Sequence, residues 1–115
     1  MNDRFWYILE EMLNSHTLII DRKKGSNHPN YSLLIYPLDY GYLEGTRSMD
    51  NGGIDVWVGS QNPVKVNGIF CALDSKKNDS EVKIVIGCTD DEIRMISDFH
   101  NDYLQAAIWV PKLQS

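Results

Sequence analysis

Residues 36–59 read YPLDYGYLEGTRSMDNGGIDVWVG, and the way this stretch resolves decides the fold. An aromatic-rich turn leads into a glycine-rich loop and then into an alternating β pattern. Successive side chains on a strand point to opposite faces, so Ile54, Val56 and Val58 turn one way and Asp55 and Trp57 the other. Asp55 is therefore expected beside a loop rather than in the core. Asp50 lies five residues earlier, across Asn51-Gly52-Gly53, a segment flexible enough to fold back and bring both carboxylates to one point. That is a common construction for a hard-cation site. Asp-Asn-Gly-Gly is also a frequent hairpin turn, in which aspartates serve as capping or solvated groups.

Working outward toward the N-terminus, Tyr31 to Ile35 reads as a strand closed by Pro37, since proline is tolerated only at strand ends or edges. Tyr40 falls in the turn that follows. His16 to Asp21 is a β-branched run ending in the basic turn Arg22-Lys23-Lys24-Gly25. Before it, Phe5, Ile8, Leu9, Met12 and Leu13 recur at helical spacing and predict a helix over about 3–14. Toward the C-terminus, Gly59 to Pro63 is a loop. Val64 to Leu73 is a strand bulged at Asn67-Gly68, and residues 74–80 form a polar loop. In the strand Glu81 to Ile86, Val82, Ile84 and Ile86 share one face while Glu81, Lys83 and Val85 share the other. Thr89-Asp90-Asp91-Glu92 is a capping box that opens a helix over about 90–105. Ala106 to Val110 adds an edge strand or a docked tail. Short strands flanked by a helix at each end give an α+β class with a small antiparallel barrel of about five strands.

A chain of 115 residues, 43% hydrophobic and 23% charged, fits one globular domain over 1–115 with a core of its own. A net charge of −5 argues against general nucleic-acid binding, which draws on clustered Lys and Arg. It leaves room for a small anion held through metal ions. Cys71 and Cys88 lie among apolar residues, as reduced, packed thiols do. Met1 to Arg4 leads into an amphipathic segment rather than a signal sequence, and no apolar run approaches bilayer length. A cytoplasmic setting is the expectation.

Tyr36-Pro37, then Asp39-Tyr40-Gly41-Tyr42, then Asp50 through Gly53-Ile54-Asp55-Val56 resemble the signature region of the soluble (family I) inorganic pyrophosphatases. In that family Tyr-Pro-x-Asn-Tyr-Gly leads into Asp-x-Asp-Pro-x-Asp on a barrel strand, and the aspartates hold magnesium. The resemblance implies an OB-like barrel with helices outside and Mg2+ (or Mn2+) as cofactor. It implies Asp50 and Asp55 as metal ligands, Tyr40 on a phosphate oxygen, and Tyr36 in support. Glu81-Val82-Lys83 matches the family's Asp-x-Lys, which adds Glu81 to the metal ligands and Lys83 to the phosphate contacts. Asp74 matches an upstream acid, with Asp79 as the competing choice. Tyr103 matches a tyrosine that the family follows with a phosphate-binding lysine; here Leu104 follows. The basic turn resembles an Asp-Lys-x-x-Gly corner, although Thr17 and Ile19 replace the lysine and glutamate before it. Gly52 replaces the middle aspartate, Gly53 the proline, and Asp39 the asparagine.

The implied chemistry is metal-dependent hydrolysis of pyrophosphate or a related phosphoanhydride, with in-line attack by a bound water. The middle aspartate handles that water's proton, so Gly52 leaves the catalytic residue unassigned. The alternative is a catalytically impaired module that binds phosphate or a nucleotide on the same fold. A third reading, an OB-type barrel stacking bases on Trp57, Tyr40 and Tyr42, runs against the acidic balance. The expected partner is a small phosphate-containing ligand, with neither nucleic acid nor membrane; homo-oligomer formation stays open.

Overall fold

The computed structural model describes residues 3–101 and 105–113. Helix α1 (Asp3–Ser15) precedes β1 (Leu18–Arg22), β2 (Asp39–Leu43), β3 (Ile54–Val58), β4 (Val66–Asp74) and β5 (Asp79–Ile86). Helix α2 (Asp90–His100) and β6 (Gln105–Pro111) follow. The strands form one sheet in the order β1-β2-β3-β5-β4-β6. The α+β class stands as expected, with six strands in the β core.

Alternation along the strands builds two cores, one on each face. Leu43, Val56, Ile69, Ile84 and Ile86 meet Trp6 and Leu9 of α1. On the other face Trp57, Phe70 and Val85 meet Ile96 of α2, together with Tyr36, Leu38 and Cys88. Each such buried apolar side chain contributes about 1.5–3 kcal/mol by leaving water. Gly41 lets β1 and β2 approach, since a Cβ there would sit 1.8 Å from the Ile19 carbonyl oxygen.

Several expectations are corrected. The sheet is not wholly antiparallel: β3 and β5 run parallel, pairing Asp55 with Lys83, Val56 with Ile84 and Trp57 with Val85. This follows because β4 and β5 form an antiparallel hairpin with β4 on the outer side, so β5 returns beside β3 in the same direction. β1 and β6 remain as edges, so the sheet is open rather than closed into a barrel. Residues 31–35 form no strand; only Ile35 makes an isolated bridge, to Asn27. Leu33 is 88% exposed, so these apolar residues have no sheet surface to face. Tyr40 lies within β2 rather than in a turn, opposite Trp57. The polar loop at 74–80 shortens to a tight turn, because Asp74 and Asp79 already pair as strand residues.

The bulge at Asn67-Gly68 is present as a register slip between Val66 and Gly68. The Asn67 side chain exchanges two hydrogen bonds with the Cys88 backbone there. The capping box also forms. Thr89 Oγ1 accepts from the Glu92 N–H at 3.1 Å, and Glu92 Oε1 accepts from the Thr89 N–H at 2.9 Å. α2 ends earlier than expected, at His100, where Asn101 caps it and exchanges hydrogen bonds with Ala107 of β6. Cys71 and Cys88 are both free, and burial pushes the Cys88 thiol up to about 12. Among the described residues no helix is long and apolar enough to cross a membrane.

Candidate active site

The parallel pairing of β3 with β5 sets Asp55 beside Lys83. Glu81, two residues before Lys83, shares its face by alternation. Tyr40, opposite Trp57 on β2, points to the same side. The Lys83 ammonium donates to Asp55 Oδ2 at 2.6 Å, Glu81 Oε1 at 2.7 Å and the Tyr40 hydroxyl at 3.1 Å. Lys83 is only 4% exposed. Burial opposes its charge, but the oxygens around it outweigh that and hold its pKa above the usual lysine range. Burial also pushes the Tyr40 phenol well above 10, so its hydroxyl stays protonated at neutral pH.

An aromatic wall backs this cluster. The Tyr40 and Trp57 rings lie 4.5 Å apart, and Tyr36 packs on Phe99 at 4.9 Å. Trp57 donates its indole N–H to His100 Nε2 at 2.8 Å, which leaves the His100 proton on Nδ1, facing Gln105 Oε1 at 3.1 Å. Burial holds His100 down at about 4. Gln105 donates onward to Asp74 Oδ2 at 3.3 Å. Beside this link lies a small polar cleft lined by Asp74, Lys77, Asp79, Glu81, Lys83 and Gln105. The much larger cavity, about 1040 Å³, lies against α1 and is mostly apolar; it shares only Ala72 and Glu81 with the polar cleft.

The expected site residues are distributed unevenly. Asp55, Glu81, Lys83 and Tyr40 converge, and Asp74 and Asp79 both line the adjoining cleft. Asp74 is engaged with the backbone N–H groups of Lys77 and Lys76, which help hold its carboxyl below the usual range. Asp50 is hydrogen-bonded within its own turn rather than to the cluster. Its Oδ1 accepts from Ser48 Oγ at 2.6 Å and from the Gly52 N–H at 2.9 Å, and the Ser48 bond lowers its pKa. Tyr36 packs in the aromatic wall. Tyr103 lies outside the described residues. Sequence reading missed Gln105, Lys77 and the Trp57–His100 link. Gln105 carries no local motif; only its pairing with Asp74 across β4 and β6 marks it.

Among the described residues no three His, Cys, Asp or Glu side chains are grouped closely enough to hold a metal ion. Asp55 and Glu81 nevertheless gather around a cation already, the Lys83 ammonium. That donor chemistry fits Mg2+, which is usually held by one or two carboxylates together with water and substrate phosphates.

Fold and site together define a small α+β domain whose sheet face carries a carboxylate, ammonium and phenol cluster suited to cations and oxyanions. Sequence comparison narrows that class. The family model for inorganic pyrophosphatase matches residues 13–111, leaving most of α1 outside. Inorganic pyrophosphatases of Geobacillus stearothermophilus and Bacillus sp. (strain PS3) are each 33% identical over 79 residues, covering 59% of this chain and 47% of theirs. The chain belongs to the inorganic pyrophosphatase family, and it spans about half the length of these relatives.

Proposed function

We propose that the chain, as one domain over 1–115, hydrolyses inorganic pyrophosphate or a related phosphoanhydride with Mg2+ or Mn2+ in a reducing cytoplasm. The observation that carries this reading is the gathering of Asp55, Glu81, Lys83 and Tyr40 on one sheet face of a chain from this family. Free Cys71 and Cys88 accord with the reducing setting. Asp55 and Glu81 would hold the divalent ion, with Asp74 or Asp79 reaching it from the cleft rim. Asp50, the further ligand in the family pattern, accepts from Ser48 and Gly52 through Oδ1, so Oδ2 would be the oxygen it brings to the ion. The bound ion would supply charge neutralisation and a lowered pKa for its water.

The chain's own groups do the rest. Lys83 and the protonated Tyr40 hydroxyl donate to phosphate oxygens, while Tyr36 and Trp57 hold the Tyr40 ring in place and Phe99 packs behind them. No acid occupies position 52, and the lack of a general base costs about 10²–10⁴-fold in rate. Turnover slower than that of a full site by about this factor is therefore expected. The test is phosphate release from pyrophosphate by the purified chain, with and without Mg2+. Metal-dependent release that Asp55→Ala abolishes supports the hydrolase. Mg2+-dependent pyrophosphate binding without release would replace it with a binding module on the same fold.

A further inference from the structure

The position between Asp55 and Glu81 already holds a cation of the chain's own, which constrains how the site loads. An ammonium has three N–H donors. Those of Lys83 are committed to Asp55, Glu81 and Tyr40. None is left for a phosphate oxygen, so Lys83 must release a partner before it can bind one. The carboxylates meet the same constraint. A divalent ion approaching Asp55 Oδ2 and Glu81 Oε1 encounters a like charge 2.6 Å from one and 2.7 Å from the other. A single event resolves both conflicts, because an ion that takes over the two carboxylates also frees the ammonium.

We propose that metal uptake and Lys83 release are one exchange: Lys83 is a built-in cation that holds Asp55 and Glu81 until a divalent ion displaces it toward phosphate. This rests on the reading of the cluster as a metal and phosphate centre. The exchange makes loading cooperative. Metal alone binds weakly, phosphate alone finds no free donor on Lys83, and each favours the other, since coupling between two ligands is reciprocal. Lys77 provides the internal control. It lines the same cleft, but its hydrogen bond runs from its backbone N–H to Asp74, not to Asp55 or Glu81.

Calorimetric titration of Mg2+ alone into the full chain tests the exchange in the native protein, in Lys83→Met and in Lys77→Met. Lys83→Met is expected to bind Mg2+ at least about tenfold tighter than native, a change of one decade in Kd. Lys77→Met is expected to stay within about threefold of native. Equal or weaker binding by Lys83→Met overturns the proposal. So does an equal gain in Lys77→Met, because that marks a diffuse field effect. Lys83→Met removes the counter-charge from two mostly buried carboxylates, so a second measurement uses the unaltered chain. In nitrogen-15 NMR the Lys83 ammonium signal is expected to be protected without metal, then to shift and lose protection as Mg2+ saturates. A signal unchanged at saturation overturns the exchange, as does the absence of Mg2+ binding at millimolar concentration. These readings need no turnover, so a failure to release phosphate from pyrophosphate is a separate result.

Discussion

The Asp50 turn and the Asp55 strand carry the two ends of one sequence motif, yet the fold treats them differently. Asp50 is exposed and spends its carboxylate on its own turn, through Ser48 and Gly52. Asp55 is mostly buried and bonds across 28 residues to Lys83. The contrast separates what local chain chemistry decides from what sheet register decides. A turn aspartate finds backbone N–H groups within two residues of itself, so it needs no distant partner. A strand aspartate on the inner face has no such neighbour, and here its counter-charge comes from another strand, Lys83 of β5.

The contrast predicts unequal stability effects. Lys83→Met is expected to destabilise the metal-free chain by about 3–5 kcal/mol, the usual penalty for leaving buried charge unpaired. A midpoint in urea close to native would mean that the cluster relaxes into water and that the two regions are alike. His100 sharpens the comparison from the packed side of the sheet. Its pKa is about 4 in the fold against 6.5 unfolded, so below pH 6.5 the unfolded chain takes up a proton that the folded chain refuses. The contribution is complete above pH 6.5 and is lost as pH falls toward 4, amounting to about 3 kcal/mol. Urea midpoints at pH 7 and pH 4.5 are expected to differ less in His100→Gln than in native; equal differences would contradict the assignment. Asp50→Ala is expected to cost only about 1 kcal/mol, because its hydrogen bonds are exposed and water competes for them. A loss as large as that of Lys83→Met would erase the distinction.

Much of this was legible in the sequence. Helical spacing of apolar residues located α1, the capping box at Thr89 located the start of α2, and the alternation at Ile54 to Val58 placed Asp55 and Trp57 on one face. These signals are local, so they survive without knowledge of the fold. The parallel pairing of β3 with β5 was not legible, because no residue pattern in either strand specifies which neighbour it takes. Without that pairing, Lys83 reads as a phosphate contact next to Glu81 rather than as the centre of a three-oxygen cage. Residues 31–35 misled for a related reason. Tyr31, Leu33 and Ile35 alternate as a strand does, but no sheet face lies against them, and alternation alone does not supply one.

The most direct test of the central claim, that the Asp55, Glu81 and Lys83 cluster is the reaction centre, is Mg2+-dependent phosphate release from pyrophosphate by native, Asp55→Ala and Asp50→Ala chains in parallel. Measurable native turnover is expected, with a loss of at least about 100-fold in Asp55→Ala and a smaller loss in Asp50→Ala. Native-level turnover in Asp55→Ala would contradict that claim.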